Sequence, residues 1–270
     1  MPLTINFTKM QGLGNDFILI DARKVKLDGL DLKQLAIDLC DRHFGVGADG
    51  LLLLWPSTKA HYRMQVINSD GSEAEMCGNG IRCLARYAYE TDQLTEEVIS
   101  VETAAGTLLP AIIKENGRIS GVEVDMGEPK EIKNEKLKIK NDIFEITEVS
   151  MGNPHAVIFV DDLEEIDLGS IGPEIENDPH FPNRTNVEFV KVISDKELEV
   201  LVWERGAGET LACGTGACAA LVAANLAGKT GRRALVRLPG GNLDIELGED
   251  GHVLMRGPAE TVFEGKYEHE

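Results

Sequence analysis

The sequence is poor in the features that mark several common classes of protein. Lys and Arg total 27 against 46 Asp and Glu, which gives a formal net charge of −19, and the basic residues are scattered. A nucleic-acid or anionic membrane surface needs grouped basic residues, so neither partner is expected. No apolar run approaches the ~18 residues of a membrane-spanning helix. The start, MPLTINFTKMQG, lacks the basic and then apolar pattern of a signal peptide.

Cysteine is also scarce. Five cysteines in 270 residues are an odd number in a mid-sized chain, which does not suggest a disulfide framework. A reducing cytoplasm is therefore the expected location. The 43% apolar content is enough to bury the core of one large domain or of two smaller ones.

What the sequence does contain is an internal repeat. Asn15 and Asn153 each stand in a Gly-Asn motif before an apolar run and are 138 positions apart. Cys77 and Cys213 each open a Cys-Gly-x-Gly motif and are 136 positions apart. Two further landmarks recur between the asparagine and the cysteine of each half, in the same order. They are a His-Phe pair, at 43 and at 180, and a polar residue nine positions before the cysteine, Asn68 or Glu204. A repeat this long predicts two homologous domains rather than a solenoid.

The local patterns define the predicted architecture. We expect an α+β fold of two pseudo-symmetric domains, each with a curved mixed or antiparallel sheet wrapped around a central helix. The N-terminal domain is predicted over 1–118, with 259–270 returning to it, and the C-terminal domain over 119–258. A polar, turn-rich seam, ENGRISG, lies near the boundary.

Each half shows short β-branched runs that predict strands, such as EVISVET in the first half, and one helix directly after its Cys-Gly. Apolar spacing predicts an amphipathic helix over 79–90. The segment 215–227 is apolar nearly all round, which predicts a buried helix that stops at Gly228. A further helix is predicted over 32–43, ending near His43.

The two repeated cysteines therefore lie at helix N-termini. Unpaired N–H groups and the helix dipole at that position favour a thiolate and also offer a socket for a carboxylate. If the symmetry places the two helix ends across one cleft, Cys77 and Cys213 flank the α-carbon of a small carboxylate. One sulfur then removes the α-proton and the other returns a proton from the opposite face.

The other cysteines and a metal site are weaker hypotheses. Cys40, Cys83 and Cys218 fall inside helical patterns, where a cysteine is usually a small buried apolar residue. Pairing each repeated cysteine with its helical neighbour as a zinc site is disfavoured. The first spacing is too wide, and the second cysteine of each pair lies in a helix interior. No metal is expected.

Four motifs together resemble the diaminopimelate epimerase family: GLGNDF, MCGNGIRC, GNPH and ERGAGETLACGTGA. The resemblance spans residues 5 to 260 and implies interconversion of LL- and meso-diaminopimelate in lysine and wall-precursor synthesis, without pyridoxal phosphate or metal, by a homodimer. It makes Cys77 and Cys213 the two acid/base residues. The substrate-binding positions it implies are Asn15, Asn68, Gly78, Asn79, Asn153, Asn186, Glu204, Arg205, Gly214 and Thr215, and His155 and Glu204 support the site.

The chemistry of diaminopimelate agrees with these positions. Its distal carboxylate suits the bidentate fork of Arg205, its ammonium suits Glu204, and asparagine side chains can serve both parts of a zwitterion. One position departs from the pattern: some family members carry Gln where this chain has Gly50. A side-chain contact is then missing, and water or backbone would replace it.

Other readings stay open at the level of sequence. A proline or hydroxyproline racemase of the same fold typically has His after the first Cys-Gly, where this chain has Asn79. A phenazine-type isomerase lacks the cysteine pair. A non-catalytic amino-acid-binding protein has no need of two thiols, and a redox module more often carries Cys-x-x-Cys.

Overall fold

The computed structural model describes residues 3–74, 76–140 and 142–269. The chain divides into two compact units, Met1–Val124 with Gly257–Glu270 and Asp125–Arg256. The segment ENGRISG forms the turn region of a β-hairpin within the first unit. Among the described residues, no helix is both long and apolar enough to span a bilayer.

The first unit is built on a mixed sheet in the order β19-β1-β2-β3-β4-β6-β7, with β5 on β4. Two helices, α1 and α2, and the hairpin β8–β9 accompany it. The bounds are β1 Leu3–Gly12, β2 Asn15–Asp21, α1 Leu32–Cys40, β3 Gly50–Pro56, β4 Tyr62–Asn68, β5 Glu73–Ala74, α2 Gly78–Thr91, β6 Val101–Thr103, β7 Gly106–Leu108, β8 Ala111–Glu115, β9 Arg118–Asp125 and β19 Glu260–His269.

The second unit repeats this design with the order β10-β11-β12-β13-β14-β16-β17-β18 and with β15 on β14. The bounds are β10 Lys130–Ile139, β11 Asp142–Ser150, β12 Pro154–Phe159, α3 Leu168–Glu176, β13 Asn186–Ser194, β14 Glu197–Glu204, β15 Gly208–Thr210, α4 Gly214–Leu226, β16 Arg233–Leu238, β17 Gly241–Leu247 and β18 Val253–Gly257.

The strand pairings are equivalent in the two units. β2–β3 and β12–β13 are parallel, β3–β4 and β13–β14 are antiparallel, and β4–β6 and β14–β16 are again parallel. In each unit the helix that follows the short antiparallel strand packs on the sheet: α2 contacts β1 to β4, and α4 contacts β11 to β14. The predicted α+β fold of two homologous domains is confirmed.

The two central helices differ in how completely they are buried. α2 buries every residue from Asn79 to Ala85, together with Ala88, and leaves Arg86, Tyr87 and Tyr89 half-buried. α4 buries every residue from Gly216 to Ala224, because its side chains are almost all small or apolar. Both helices begin one residue before the predicted start, α2 at Gly78 and α4 at Gly214. α4 ends before Gly228, whose φ of 66° is in the left-handed region that glycine adopts readily.

Two predicted elements are longer than the observed ones. α1 ends at Cys40 instead of near His43, because the Asp41 carboxylate accepts hydrogen bonds from the backbone N–H groups of His43 and Phe44. These bonds form a turn in place of another helical turn. The run EVISVET is a strand only over Val101–Thr103.

Candidate active site

Cys77 and Cys213 are the N-cap residues of the two central helices. Both have extended backbone angles, and each sulfur accepts a hydrogen bond of 3.4 Å from the backbone N–H three residues later, at Gly80 or Gly216. An N-cap side chain normally satisfies one of the unpaired N–H groups of the first turn through oxygen. Here a sulfur does so, which explains why each helix begins directly after its cysteine.

In the first unit, Cys77 lies beside a directed chain of side-chain amides. The Cys77 sulfur is 3.8 Å from Asn15 Oδ1, which also accepts from Asn79 Nδ2 at 3.1 Å. Asn79 Oδ1 in turn accepts from Arg82 Nη2 at 2.7 Å. Because a guanidinium can only donate, it fixes the orientation of both amides. Asn15 and Asn79 therefore meet at Cys77, together with the backbone of Gly78.

A cluster of charges holds the other end of Asn15. Asn15 Nδ2 donates to Asp49 Oδ2 at 2.8 Å, and Arg42 bridges Asp49 and Asp16 with two contacts of 2.7 Å. Asp16 also pairs with the buried Lys9 at 2.5 Å. None of these four charged residues was singled out from the sequence, because only the fold brings β1, β2 and the loop before β3 together.

Asn68 and Gly50 face each other on neighbouring strands of the first unit. Asn68 is exposed at the end of β4, and its Nδ2 donates to Ser72 Oγ at 2.9 Å. A Cβ at Gly50 would lie 3.0 Å from the Ile67 carbonyl oxygen, so a Gln there requires a small backbone shift. Asn68 stays a predicted substrate contact.

In the second unit, Cys213 lies beside Thr215 and Glu204. Its sulfur is 3.4 Å from Thr215 Oγ1, and Glu204 Oε1 accepts from Thr210 Oγ1 at 2.6 Å. Burial raises the pKa of Glu204, and the hydrogen bond from Thr210 opposes that rise. Gly214 provides the first residue of α4, where a Cβ would lie 2.9 Å from the Met255 sulfur.

His155 joins this group through Asn153. His155 Nε2 lies 3.0 Å from Asn153 Oδ1, and Asn153 Nδ2 lies 3.3 Å from Thr215 Oγ1. On its other side, His155 Nδ1 lies 2.7 Å from the carboxyl of Glu188. Both side chains of this last pair are fully buried. Glu188 is a charged residue type inside a buried strand, NVEFV, and that contrast is the sequence signal that could have identified it.

Asn186 and Arg205 are linked through the backbone. Asn186 Oδ1 accepts from the Arg205 N–H at 2.9 Å, while Asn186 Nδ2 donates to the Pro154 carbonyl at 2.8 Å. The next N–H, at Gly206, donates to the buried Glu176 at 2.8 Å. The backbone at Arg205 is thus held on both sides, and its guanidinium is exposed with one bond to the Asn183 carbonyl.

The net pKa direction at Cys213 is opposite to the one expected from the helix terminus alone. Burial holds the pKa of the Cys213 thiol well above its ordinary value, and the carboxyls of Glu204 and Glu188 act in the same direction when they are charged. Hydrogen bonds from Thr215 and from the Gly216 N–H lower it, but by less. Desolvation therefore outweighs the stabilisation of a thiolate by the helix N-terminus.

Glu204→Gln is expected to lower the pKa of the Cys213 thiol, because it removes a carboxylate that disfavours the thiolate. Only the thiolate reacts with iodoacetamide. Alkylation of Cys213, followed by peptide mapping, should therefore become faster at about pH 8, below the ordinary thiol pKa. Glu199→Gln removes an exposed carboxylate from the same strand and is the matched control. An unchanged pH profile in Glu204→Gln would contradict the expectation.

The remaining cysteines are part of the cores. Cys40, Cys83 and Cys218 are buried and reduced. Burial raises the pKa of both the Cys40 and the Cys83 thiol to about 12. Within the described ranges, no group of three or more His, Cys, Asp or Glu side chains is arranged to hold a metal ion.

Comparisons with known proteins show the family of this chain. The family model described as diaminopimelate epimerase matches residues 7–132 and 147–262. A diaminopimelate epimerase of Pelotomaculum thermopropionicum is 53% identical over 97% of this chain and 99% of the relative. One of Moorella thermoacetica is 50% identical over the same shares.

Solved structures with low sequence identity share the fold. A PhzF-family phenazine biosynthesis protein of Bacillus anthracis has a TM-score of 0.75 at 17% identity, covering 98% of this chain and 99% of its own. A hydroxyproline epimerase of Agrobacterium vitis has a TM-score of 0.72 at 16% identity, covering 98% and 92%. The family predicted from the motifs is confirmed by the full-length sequence matches: this chain belongs to the diaminopimelate epimerase family of amino-acid isomerases.

Proposed function

We propose that the protein interconverts LL- and meso-diaminopimelate by a two-base reaction at Cys77 and Cys213, without a cofactor. The observation that carries the proposal is the equivalent placement of two cysteines as N-caps of the central helices, each beside side chains that suit an amino acid. Family membership supplies the substrate, and the local chemistry supports the roles of the individual residues.

The reaction inverts one α-carbon. One cysteine, as a thiolate, takes the α-proton, and the other, as a thiol, delivers a proton to the opposite face of the resulting carbanion. Backbone N–H groups at Gly78–Asn79 and Gly214–Thr215 bind the reacting carboxylate, where the helix dipoles stabilise the negative charge that develops on it. The asparagines hold the rest of the zwitterion.

Residues that bind the distal end of the substrate select diaminopimelate over smaller amino acids. In this proposal, Arg205 binds the distal carboxylate through its guanidinium fork, and Glu204 binds an ammonium group or supports the thiol pair. Asn153, Asn186 and His155 orient these groups, and Asn68 and Asn15 contact the substrate from the first unit.

Proton exchange in deuterated water tests the proposed function. With LL-diaminopimelate, we expect deuterium at the α-carbon together with formation of the meso isomer, both detected by NMR and chiral chromatography. L-proline serves as the competing substrate. Exchange with L-proline but not with diaminopimelate would favour a proline-type racemase, and binding without exchange would favour a non-catalytic binding protein.

The cellular role follows from the proposed reaction. We propose that the enzyme acts in the cytoplasm, in lysine and cell-wall precursor synthesis, and that it forms a homodimer. The free cysteines agree with a reducing compartment. The proposed homodimer is supported by β19, an edge strand of its sheet that exposes two large apolar side chains. Val262 is 57% exposed and Phe263 is 46% exposed. Sedimentation velocity would separate a monomer from a dimer.

A further inference from the structure

Glu188 is buried next to the candidate site without a complete set of partners. Its side chain is fully inaccessible, and its Oε1 lies 2.7 Å from His155 Nδ1. Among the described residues, Oε2 has no hydrogen-bond partner. A Cβ at Gly216, in the first turn of α4, would lie 2.6 Å from Oε1, so the carboxyl packs directly under the helix that Cys213 caps.

A continuous series of contacts joins this carboxyl to the Cys213 sulfur. It runs from Glu188 to His155, then to Asn153, then to Thr215 and finally to the sulfur, with distances of 2.7, 3.0, 3.3 and 3.4 Å. Every member belongs to the second unit.

Asn153 fixes the direction of the hydrogen bonds in this series. A side-chain amide has one accepting end and one donating end. Asn153 turns Oδ1 to His155 and Nδ2 to Thr215, so His155 must donate from Nε2. Thr215 accepts from Asn153, and its own hydrogen is then free to be donated to the Cys213 sulfur. Such a donation stabilises the thiolate form of the cysteine.

His155 can donate from Nε2 in two ways. It can be an imidazolium that also donates from Nδ1 to a Glu188 carboxylate, or a neutral ring whose Nδ1 accepts from a protonated Glu188 carboxyl. A buried carboxylate with an unpartnered oxygen is costly, whereas the carbonyl oxygen of a protonated carboxyl tolerates that environment better. The unpartnered Oε2 therefore favours the neutral pair.

We propose that Glu188 is a positioning residue that, as a protonated carboxyl, donates to His155 Nδ1 and thereby directs the Asn153 amide and the Thr215 hydroxyl toward the Cys213 sulfur. The inference rests on the proposed function of Cys213 as an acid/base. A neutral carboxyl also spares the thiolate the repulsion that a charge at 188 would add. Glu204, Glu188 and His155 are the ionisable side chains of this neighbourhood. Either carboxyl raises the pKa of the Cys213 thiol when it is charged, and with Glu188 protonated only Glu204 carries that charge.

Glu188→Gln and Glu188→Leu test this assignment. Gln can replace the carboxyl O–H with an amide N–H donated to His155, so kcat with LL-diaminopimelate should stay within about threefold of wild type. Leu offers no donor, so kcat should fall roughly 10- to 100-fold, as when a hydrogen-bonded support of a reactive group is removed, with KM little changed. Glu199→Gln, exposed on the neighbouring strand, is the control.

Two readouts do not depend on turnover. The pH profile of Cys213 alkylation should be the same in wild type and Glu188→Gln, because one neutral group replaces another. Ring ¹⁵N shifts of His155, identified by their loss in His155→Asn, should show a proton on Nε2 alone in both proteins. Failure of the wild type to exchange the α-proton would instead refute the proposed function and leave these readouts intact.

Several outcomes would overturn the proposal. A shift of the alkylation profile to lower pH in Glu188→Gln would mean that Glu188 is charged. An imidazolium signal for His155 in wild type would mean the same. Full kcat in a folded Glu188→Leu would show that the chain does not position the thiol, and if that variant does not fold, the Glu188→Gln profile decides alone.

Discussion

Replacing Cys77 or Cys213 with Ala should reduce epimerisation of LL-diaminopimelate by at least about 10³-fold. General acid or base catalysis by one positioned group contributes typically 10²–10⁴-fold, and in the proposed two-base reaction the remaining thiol serves only its own face. Ser at either position should also be severely impaired, because a hydroxyl is a far weaker acid and base at neutral pH. Chiral chromatography of the product measures the loss.

The same variants separate proton exchange from inversion. A single remaining thiol can still remove and return a proton on its own face, so deuterium wash-in need not fall as far as epimerisation. Cys83→Ala and Cys218→Ala are matched controls. Each changes a buried cysteine in the helix that Cys77 or Cys213 caps. Near-normal epimerisation in either Cys77→Ala or Cys213→Ala would contradict the two-base mechanism.

The repeat made the fold predictable from sequence. Four landmarks at nearly constant spacing required two similar domains, and the structure has equivalent strand pairings in both units. The central helices were predictable because their apolar spacing and the Cys-Gly motif agree. α1 was overextended because the capping bonds of Asp41 compete with helix through local side-chain chemistry, which apolar spacing does not register.

The side chains that hold the site were not predictable in the same way. Arg82 and Glu176 read as ordinary charged residues in the sequence, and only the apolar strand around Glu188 marks that carboxyl as unusual. All three are buried, and each binds a predicted site residue or the backbone next to one. The partners of Glu176 and Glu188 lie on other elements, as when Glu176 in α3 accepts from Gly206 and Trp203. Arg82 lies one turn from its partner Asn79 in α2. The raised pKa of Cys213 depends on burial by the same packing, so the motif alone gave only the opposing effect of the helix terminus.

Arg205→Ala should lower kcat/KM for LL-diaminopimelate by roughly 30-fold or more, because a charge-assisted pair that substrate binding desolvates is worth about 2–5 kcal/mol. The backbone of Arg205 is held by Asn186 and, one residue later, by Glu176, so the guanidinium is presented from a fixed point. Little of the free energy of substrate binding at Arg205 is then lost in ordering the backbone around this residue. Arg205→Lys keeps the charge but loses the fork, and its loss should be intermediate.

The substrate itself provides the sharper test of Arg205. L-Lysine is diaminopimelate without the distal carboxylate, so its α-hydrogen exchange should already be slow in wild type and should fall little further in Arg205→Ala. Arg237→Ala removes another exposed arginine of the second unit, one that pairs with Glu197, and controls for charge. If Arg205→Ala slowed exchange of both substrates by the same factor, Arg205 would act on the reacting end or on the fold. A contact with the distal carboxylate predicts a penalty for diaminopimelate alone, since only that substrate loses a bond when the guanidinium is removed.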